Sequence, residues 1–395
     1  MHILLLPSWY PGNPQDVGGV FFRDQALALL YYGHKVGVIA PKMRSLRTLL
    51  DGRSRSLVPA YELDNGIPTY RQETFAALPR VPFGNYWLFR RAARDLFKKY
   101  VKRFGKPDVL HAHSLIFGGA VAADLAKEYG IPMVLTEHSS GFARNTYADW
   151  QLKLAAKGIA GASLCIAVSP SLADILGEQF PFSQDRWHWV PNVVADRFKT
   201  PTGARQKRDS IRFLNLALMT ENKGQFDLIE AFHRVTQDNQ STELWLAGDG
   251  PIRASLEKKA EEFDISDKVH FLGMVSPKDV PELLSKVDVM VVSSHYETFG
   301  VVAAEALMAG VPVIATKCGG PECIVGQGDG LLVPLKNPKA LATAMQELVV
   351  HLESFDPHLI AKGARERFSS TAVASLLTHE YKRVVGIDKA QTDRV

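Results

Sequence analysis

Cysteine is scarce in this sequence: Cys165, Cys318 and Cys323 are the three in 395 residues. So low and odd a number argues against a disulfide framework and fits a reducing compartment. Cys318 and Cys323 lack the second pair that a zinc clip of that spacing needs. No apolar run approaches about 18 residues, so nothing reads as a membrane-spanning helix. The opening MHILLLPSWYPG has no basic leader and breaks at Pro7, which reads as a buried first strand rather than a signal peptide. No Gly-x-Gly-x-x-Gly follows that strand, which weighs against a dehydrogenase. Short-period repeats and low-complexity tracts are also missing.

A chain of 395 residues exceeds one ordinary core and calls for two or three domains. Hydrophobic content of 46% with 22% charged residues suits a globular protein. Charge is unevenly spread. Residues 1–199 hold 24 Lys and Arg against 16 Asp and Glu, and the remainder holds 22 against 26. The first half therefore carries a net +8 and faces an anionic partner, while the second carries −4.

Short apolar runs alternate with amphipathic stretches. Strands are expected at His2–Leu6, Lys35–Ala40, Asp108–Ala112, Met133–Thr136, Leu164–Val168 and Trp187–Val190. Helices are expected at Phe21–Tyr32, Tyr86–Phe104, Gly119–Glu128 and Ser171–Gln179. A polar stretch, Lys199–Arg212, reads as a linker. A second series follows, with strands at Phe213–Leu218, Leu244–Ala247, His270–Leu272, Val287–Val292, Val311–Ala315 and Gly330–Val333. Its helices fall at Gln225–Arg234, Arg253–Phe263, Val280–Leu284, Val301–Ala309, Pro338–His351 and Thr371–Val385. Apolar strands alternating with helices predict an α/β fold of two parallel-sheet domains. The expected boundaries are 1–199, 200–370 and a terminal helix and tail over 371–395, which is expected to return to the first domain.

The densest chemical signal is SHYETFGVVAAEALMAGVPVIATKCGG, Ser294–Gly320. A strand ends before it, a polar loop follows, and a helix begins near Gly300. Ligands of parallel sheets sit beyond the strands' carboxyl ends, and a helix start is an anion site. Glu305 lies four residues after Val301, on the same helix face, where a carboxylate can accept hydrogen bonds from vicinal hydroxyls. Glu297 on the loop can hold a second polyol. Surface glutamates are the plain alternative for both.

Glu297-Thr-Phe-Gly-Val-Val-Ala-Ala-Glu305 resembles the Glu-x7-Glu signature of retaining glycosyltransferase family 4, whose fold is GT-B. Ala247-Gly-Asp-Gly-Pro251, His270-Phe-Leu-Gly273, Val190-Pro-Asn-Val193 with Phe198, Gly18-Gly19 and Thr136-Glu-His138 resemble further family motifs, in the family's order. The resemblance implies two Rossmann-like domains facing a cleft, a first for the acceptor and a second for a nucleotide sugar. It implies that Glu297, with the backbone of Phe299 and Gly300, binds the donor sugar. Val301 and Val302 would offer N–H groups to the diphosphate, and Glu305 would hold the ribose. Lys223, in Asn222-Lys-Gly-Gln225, would neutralise the leaving diphosphate. Leu272, Gly273 and Met274 would line the base, and Gly18 and Gly19 would serve the donor, Gly19 letting the backbone approach the diphosphate or acceptor closely. His138 would sit near the reacting carbon or the sugar's 6-hydroxyl, a role set against that of a buried structural histidine. One position departs from the pattern: the arginine usual five or six residues before the lysine is replaced by Ala217 and Leu218.

No Asp-x-Asp occurs, which removes the simplest carboxylate clamp for a divalent ion on a diphosphate. Transfer is therefore expected to be metal-independent, with no cofactor, and by resemblance retaining. A UDP-sugar is favoured over a GDP-sugar, and the acceptor is expected to be a glycan or lipid-linked glycan of the cell envelope. Tyr86–Lys106 carries eight basic residues among aromatics and reads as a helix able to lie on an anionic membrane. The expected location is cytoplasmic, peripheral on the inner face of the membrane. No nucleic-acid module accompanies the charge. A nucleotide-sugar-binding subunit, an epimerase and a phosphorylase remain as alternatives on the same fold.

Overall fold

The computed structural model describes residues 1–12, 16, 18–45, 58–76, 81, 83–198, 209–238 and 241–386. Most of the expected linker, 199–208, lies outside the described residues. The chain forms two compact units. One comprises Met1–Val168, Leu172–Val193 and Ser370–Val395, the other Ser169–Ser171 and Val194–Ser369.

The first unit runs β1 (His2–Pro7), α1 (Val20–Tyr31), β2 (Lys35–Arg44), β3 (Ala60–Asp64), β4 (Ile67–Phe75), α2 (Gly84–Phe104), β5 (Val109–His113), α3 (Ala120–Tyr129), β6 (Met133–Glu137), α4 (Asp149–Gly161), β7 (Leu164–Ala167), α5 (Pro170–Gln179) and β8 (Trp187–Trp189). Its sheet has the order β3-β4-β2-β1-β5-β6-β7-β8, parallel except for the β3–β4 pair. Every residue of β1, β5, β6 and β7 is buried, as a sheet covered on both faces requires. Helix α2 packs on β2 and β4 and buries Tyr86, Phe89, Ala93, Leu96, Phe97 and Tyr100.

The second unit runs β9 (Ile211–Leu216), α6 (Gln225–Asp238), β10 (Thr242–Ala247), α7 (Arg253–Glu262), β11 (Val269–Gly273), α8 (Val280–Ser285), β12 (Val289–Val292), α9 (Val301–Met308), β13 (Val313–Thr316), β14 (Gly330–Val333), α10 (Pro338–His351) and α11 (Pro357–Phe368). Its sheet is wholly parallel, in the order β11-β10-β9-β12-β13-β14. The strand order reverses between β9 and β12, so the loops after these two strands border the place where such sheets take ligands. A last helix, α12 (Ser370–Val385), belongs to the first unit. Its Val373, Ala374, Leu377 and Tyr381 share a core with Phe22, Ala26 and Leu29 of α1.

Candidate active site

In the second unit, the turn after β9 and the loop after β12 are stitched together. The His295 N–H donates to the Asn222 carbonyl at 2.7 Å, and Asn222 Nδ2 donates to the Tyr296 carbonyl at 3.0 Å. Ser293 Oγ donates to the Lys223 carbonyl at 2.8 Å. His295 Nε2 and Asp227 Oδ2 lie 2.8 Å apart. Gly224 has φ +64°, and a Cβ there would stand 2.0 Å from the Ser293 carbonyl oxygen. Only glycine allows that approach and that conformation together.

This stitching aims Lys223 at Glu297. Lys223 Nζ donates to Glu297 Oε1 at 2.6 Å, and Ser294 Oγ donates to the same oxygen at 2.7 Å. The Glu297 backbone is fixed from the other side. Its N–H donates to the Cys318 carbonyl at 3.0 Å, and its carbonyl accepts the Gly320 N–H at 2.8 Å. Helix α9 starts four residues on, at Val301. Its N-cap, Gly300, has φ 92° and supplies no side-chain cap, so the N–H groups of Val301 and Val302 have no intrahelical acceptor. The Phe299 side chain is buried against Phe368, which leaves its backbone as the part able to meet a ligand.

Glu305 lies one turn into α9, buried, and Arg197 Nη2 donates to its Oε1 at 3.1 Å. Arg197 stacks over the Phe198 ring, 5.0 Å from its centroid. Sequence reasoning missed this arginine: it lies 108 residues from Glu305, and its one visible sign was the place beside Phe198 in a family-like segment. At the position expected to lack arginine, Leu218 is exposed. Leu272, Gly273 and Met274 end β11 at the sheet's edge, where the Gly248 N–H donates to the Gly273 carbonyl at 2.8 Å. Both Leu272 and Met274 are exposed.

In the first unit, His138 follows β6 and is buried between the rings of Phe21 and Phe22, 4.9 and 5.1 Å away. Its Nε2 lies 3.0 Å from His113 Nδ1. Burial lowers the His138 pKa to about 3, so the imidazole is neutral. Glu137, wholly buried, accepts the N–H groups of Leu115, His138 and Ser139 at 2.7, 2.7 and 2.6 Å. Burial raises its pKa to about 7 against the pull of those donors. Gly19 caps α1 at φ 81°, and a Cβ there would meet Trp9 at 3.0 Å and Phe22 at 3.1 Å. Gly18 is exposed, and a Cβ there would meet nothing. Gly19 and His138 thus share Phe22 as a neighbour, while Lys223, Glu297, Gly300 and Glu305 gather around the start of α9.

Two Rossmann-like sheets, the second with a glycine-capped helix start beside its strand-order reversal, are the architecture of a GT-B glycosyltransferase. The profile of Glycosyltransferase Family 4 matches residues 18–198, and that of Glycosyl transferases group 1 matches residues 197–363. The chain belongs to this group 1, family 4 class of glycosyltransferases. TuaC of Bacillus subtilis, a glycosyltransferase assigned provisionally to teichuronic acid biosynthesis, is 29% identical over 97% of this chain and 99% of its own length. The uncharacterized glycosyltransferase MJ1607 of Methanocaldococcus jannaschii is 27% identical over 97% of this chain and 98% of its own. Among solved structures, sucrose-phosphate synthase of Thermosynechococcus elongatus superposes with a TM-score of 0.75 at 22% identity, covering 98% of this chain and all of that one. Anabaena HepE in complex with UDP gives 0.73 at 20% identity, covering 97% and 100%.

Proposed function

We propose that the chain moves a hexosyl or N-acetylhexosaminyl unit from a nucleoside diphosphate sugar to a glycan or lipid-linked acceptor in cell-envelope polysaccharide synthesis. In this reading transfer retains the anomeric configuration and needs no metal. The observation that carries it is the Lys223–Glu297 pair beside the uncapped start of α9, with Glu305 one turn further on. A nucleoside diphosphate sugar presents hydroxyls, diphosphate and ribose hydroxyls in that series. Glu297 takes the sugar hydroxyls, with Phe299 and Gly300 backbone beside it. The N–H groups of Val301 and Val302 take the diphosphate, Lys223 balances its charge on departure, and Glu305 takes the ribose. Leu272, Gly273 and Met274 offer the base an apolar edge. Gly18, Gly19 and neutral His138 serve the sugar and acceptor from the first unit.

The bond from the anomeric carbon to the diphosphate oxygen breaks as the acceptor oxygen bonds that carbon on the same face. The acceptor proton passes to the departing diphosphate oxygen, so no protein nucleophile is required. UDP is preferred to GDP, a choice supported by the UDP bound in HepE. The envelope acceptor is supported by TuaC and by the lipopolysaccharide core glycosyltransferase LpsE of Rhizobium meliloti, 34% identical over 40% of this chain. The proposed location is cytoplasmic, at the inner face of the membrane. The exposed Lys98, Lys99, Lys102 and Lys106 in and after α2 would supply the contact.

Thermal shift against UDP-, GDP- and ADP-sugars, with and without chelator, tests the donor site. A ligand at about 100 times its Kd adds about 2.7 kcal/mol. A shift with one nucleotide that survives chelator and vanishes in Glu305→Ala is expected. No shift with any of them overturns the donor assignment, and an inverted product by NMR overturns retention.

A further inference from the structure

Tyr381 is fully buried in α12, and its hydroxyl lies 2.6 Å from His111 Nδ1, 270 residues away in sequence. A core that needed only bulk at this place would be served by phenylalanine. A buried hydroxyl persists where it has a partner.

The partner is held at both ends. His111 Nε2 lies 2.8 Å from Thr136 Oγ1, and Gln25 Nε2 approaches His111 Nδ1 at 3.5 Å. Burial keeps the Tyr381 phenol protonated and His111 neutral. A neutral imidazole has one N–H and one lone pair. With the Tyr381 hydroxyl and the Gln25 amide both donating to Nδ1, the His111 proton sits on Nε2 and is donated to Thr136. The ring has one tautomer and one orientation.

His111 then sets its neighbour. The His113 ring stacks on it with centroids 4.3 Å apart and planes 26° from parallel. His113 Nδ1 in turn meets His138 Nε2 at 3.0 Å. The other His138 nitrogen, Nδ1, is buried and makes no hydrogen bond among the described residues, with the Asn192 side chain near the ring.

We propose that Tyr381 is a positioning residue for transfer: through His111 and His113 it holds the His138 ring in the orientation that leaves Nδ1 for the substrate. This rests on the reading of His138 as a group that meets the sugar or acceptor.

The test is Tyr381→Phe, His138→Ala and their double variant, each with kcat and donor KM, and two-bond 1H–15N imidazole spectra of the folded proteins. Tyr381→Phe is expected to lower kcat about tenfold with donor KM within about twofold, the pattern of an interaction made only in the transition state. Its spectra are expected to show the His111 nitrogens moving toward tautomer averaging. His138→Ala is expected to lose at least as much, and the double variant no more than His138→Ala alone. Wild-type kcat in Tyr381→Phe beside an impaired His138→Ala overturns this inference and leaves the His138 reading standing, as do losses that multiply in the double variant. Full activity in His138→Ala overturns both. Should Tyr381→Phe fail to fold, Thr136→Val removes the partner of Nε2 and is expected to give the same kcat loss; unchanged kcat there overturns the proposal.

Discussion

Arg197 Nη2 lies 3.1 Å from Glu305 Oε1, so the carboxylate proposed to take a ribose is already paired with a cation of its own unit. The pair holds a buried acid in place on α9, and Arg197 remains partly exposed. Arg197→Ala would remove this guanidinium from the carboxylate. A loss of about 1–2 kcal/mol is expected, less than for a fully buried pair because water reaches the guanidinium. Calorimetry should find Tm lower by about 2–8 °C and donor KM raised. Unchanged Tm and KM would remove the pairing as a device for orienting Glu305.

Lys223 is the next to test. Its ammonium is bound to Glu297 at 2.6 Å, and in the proposed reaction it meets the charge that develops on the leaving diphosphate. Losing one such electrostatic partner costs about 10²–10³ in kcat. Lys223→Ala should show that drop, and Lys223→Arg should recover part of it. A rise in donor KM with kcat intact would mean that the lysine only binds.

The core strands were legible because strands covered on both faces are apolar throughout, as in Ile3–Leu6 and Val134–Leu135. The β3–β4 hairpin was missed: Ala60–Asp64 is largely exposed and carries no apolar run. Its signal was Asn65-Gly66, both at positive φ, the dipeptide that a tight hairpin demands. Helix α11 is absent from the expected elements because its buried stripe, Ile360, Ala361, Ala364 and Phe368, is thin among charged residues, although Asp356 before Pro357 marks its start and the Asp356 side chain caps it. Helix α4 was also missed, with its apolar side at Leu154, Ala155 and Ile159. The motif around Glu297 was readable because its loop and helix are continuous in sequence. The partners that fix it from elsewhere, Asn222 and Arg197, come from distant segments, and no local pattern announces such pairs.

The buried histidines make stability depend on pH. His111 and His138 are lowered from 6.5 to about 3 by burial, and His113 is lowered in the same sense. Their unfolded forms bind protons below 6.5 that the folded forms refuse, so stability is full above 6.5 and falls as pH drops toward 3. Glu137 opposes this. Raised from 4.5 to about 7, it contributes stability at low pH that is lost as pH rises from 4.5 to 7. Three histidines outweigh one carboxyl, so Tm should fall between pH 6.5 and 4.5. Glu137→Gln removes the opposing group and should steepen that fall. A flat or rising Tm would contradict the burial argument.

Helix α2 decides how the chain could meet a membrane. Its aromatic side, Tyr86, Phe89, Phe97 and Tyr100, is buried, so these rings are not available for insertion into lipid. What faces outward is charge: Arg91, Lys98, Lys99, Lys102, Arg103 and the following Lys106 are exposed, with Trp87 the large apolar side chain among them. Two further arginines are already engaged, Arg90 with Asp124 and Arg94 with Glu128. Binding to anionic vesicles should therefore be electrostatic, worth about 1 kcal/mol per basic residue near the surface and screened within a Debye length of about 8 Å at physiological salt. Sedimentation with phosphatidylglycerol vesicles at low salt should recover the protein, and raising salt to about 0.5 M should release it. Replacing Lys98, Lys99 and Lys102 with glutamate should abolish recovery while leaving transfer to a water-soluble acceptor intact. Binding that resists salt would point to insertion of an apolar group such as Trp87, and no binding at low salt would remove the membrane from the proposal.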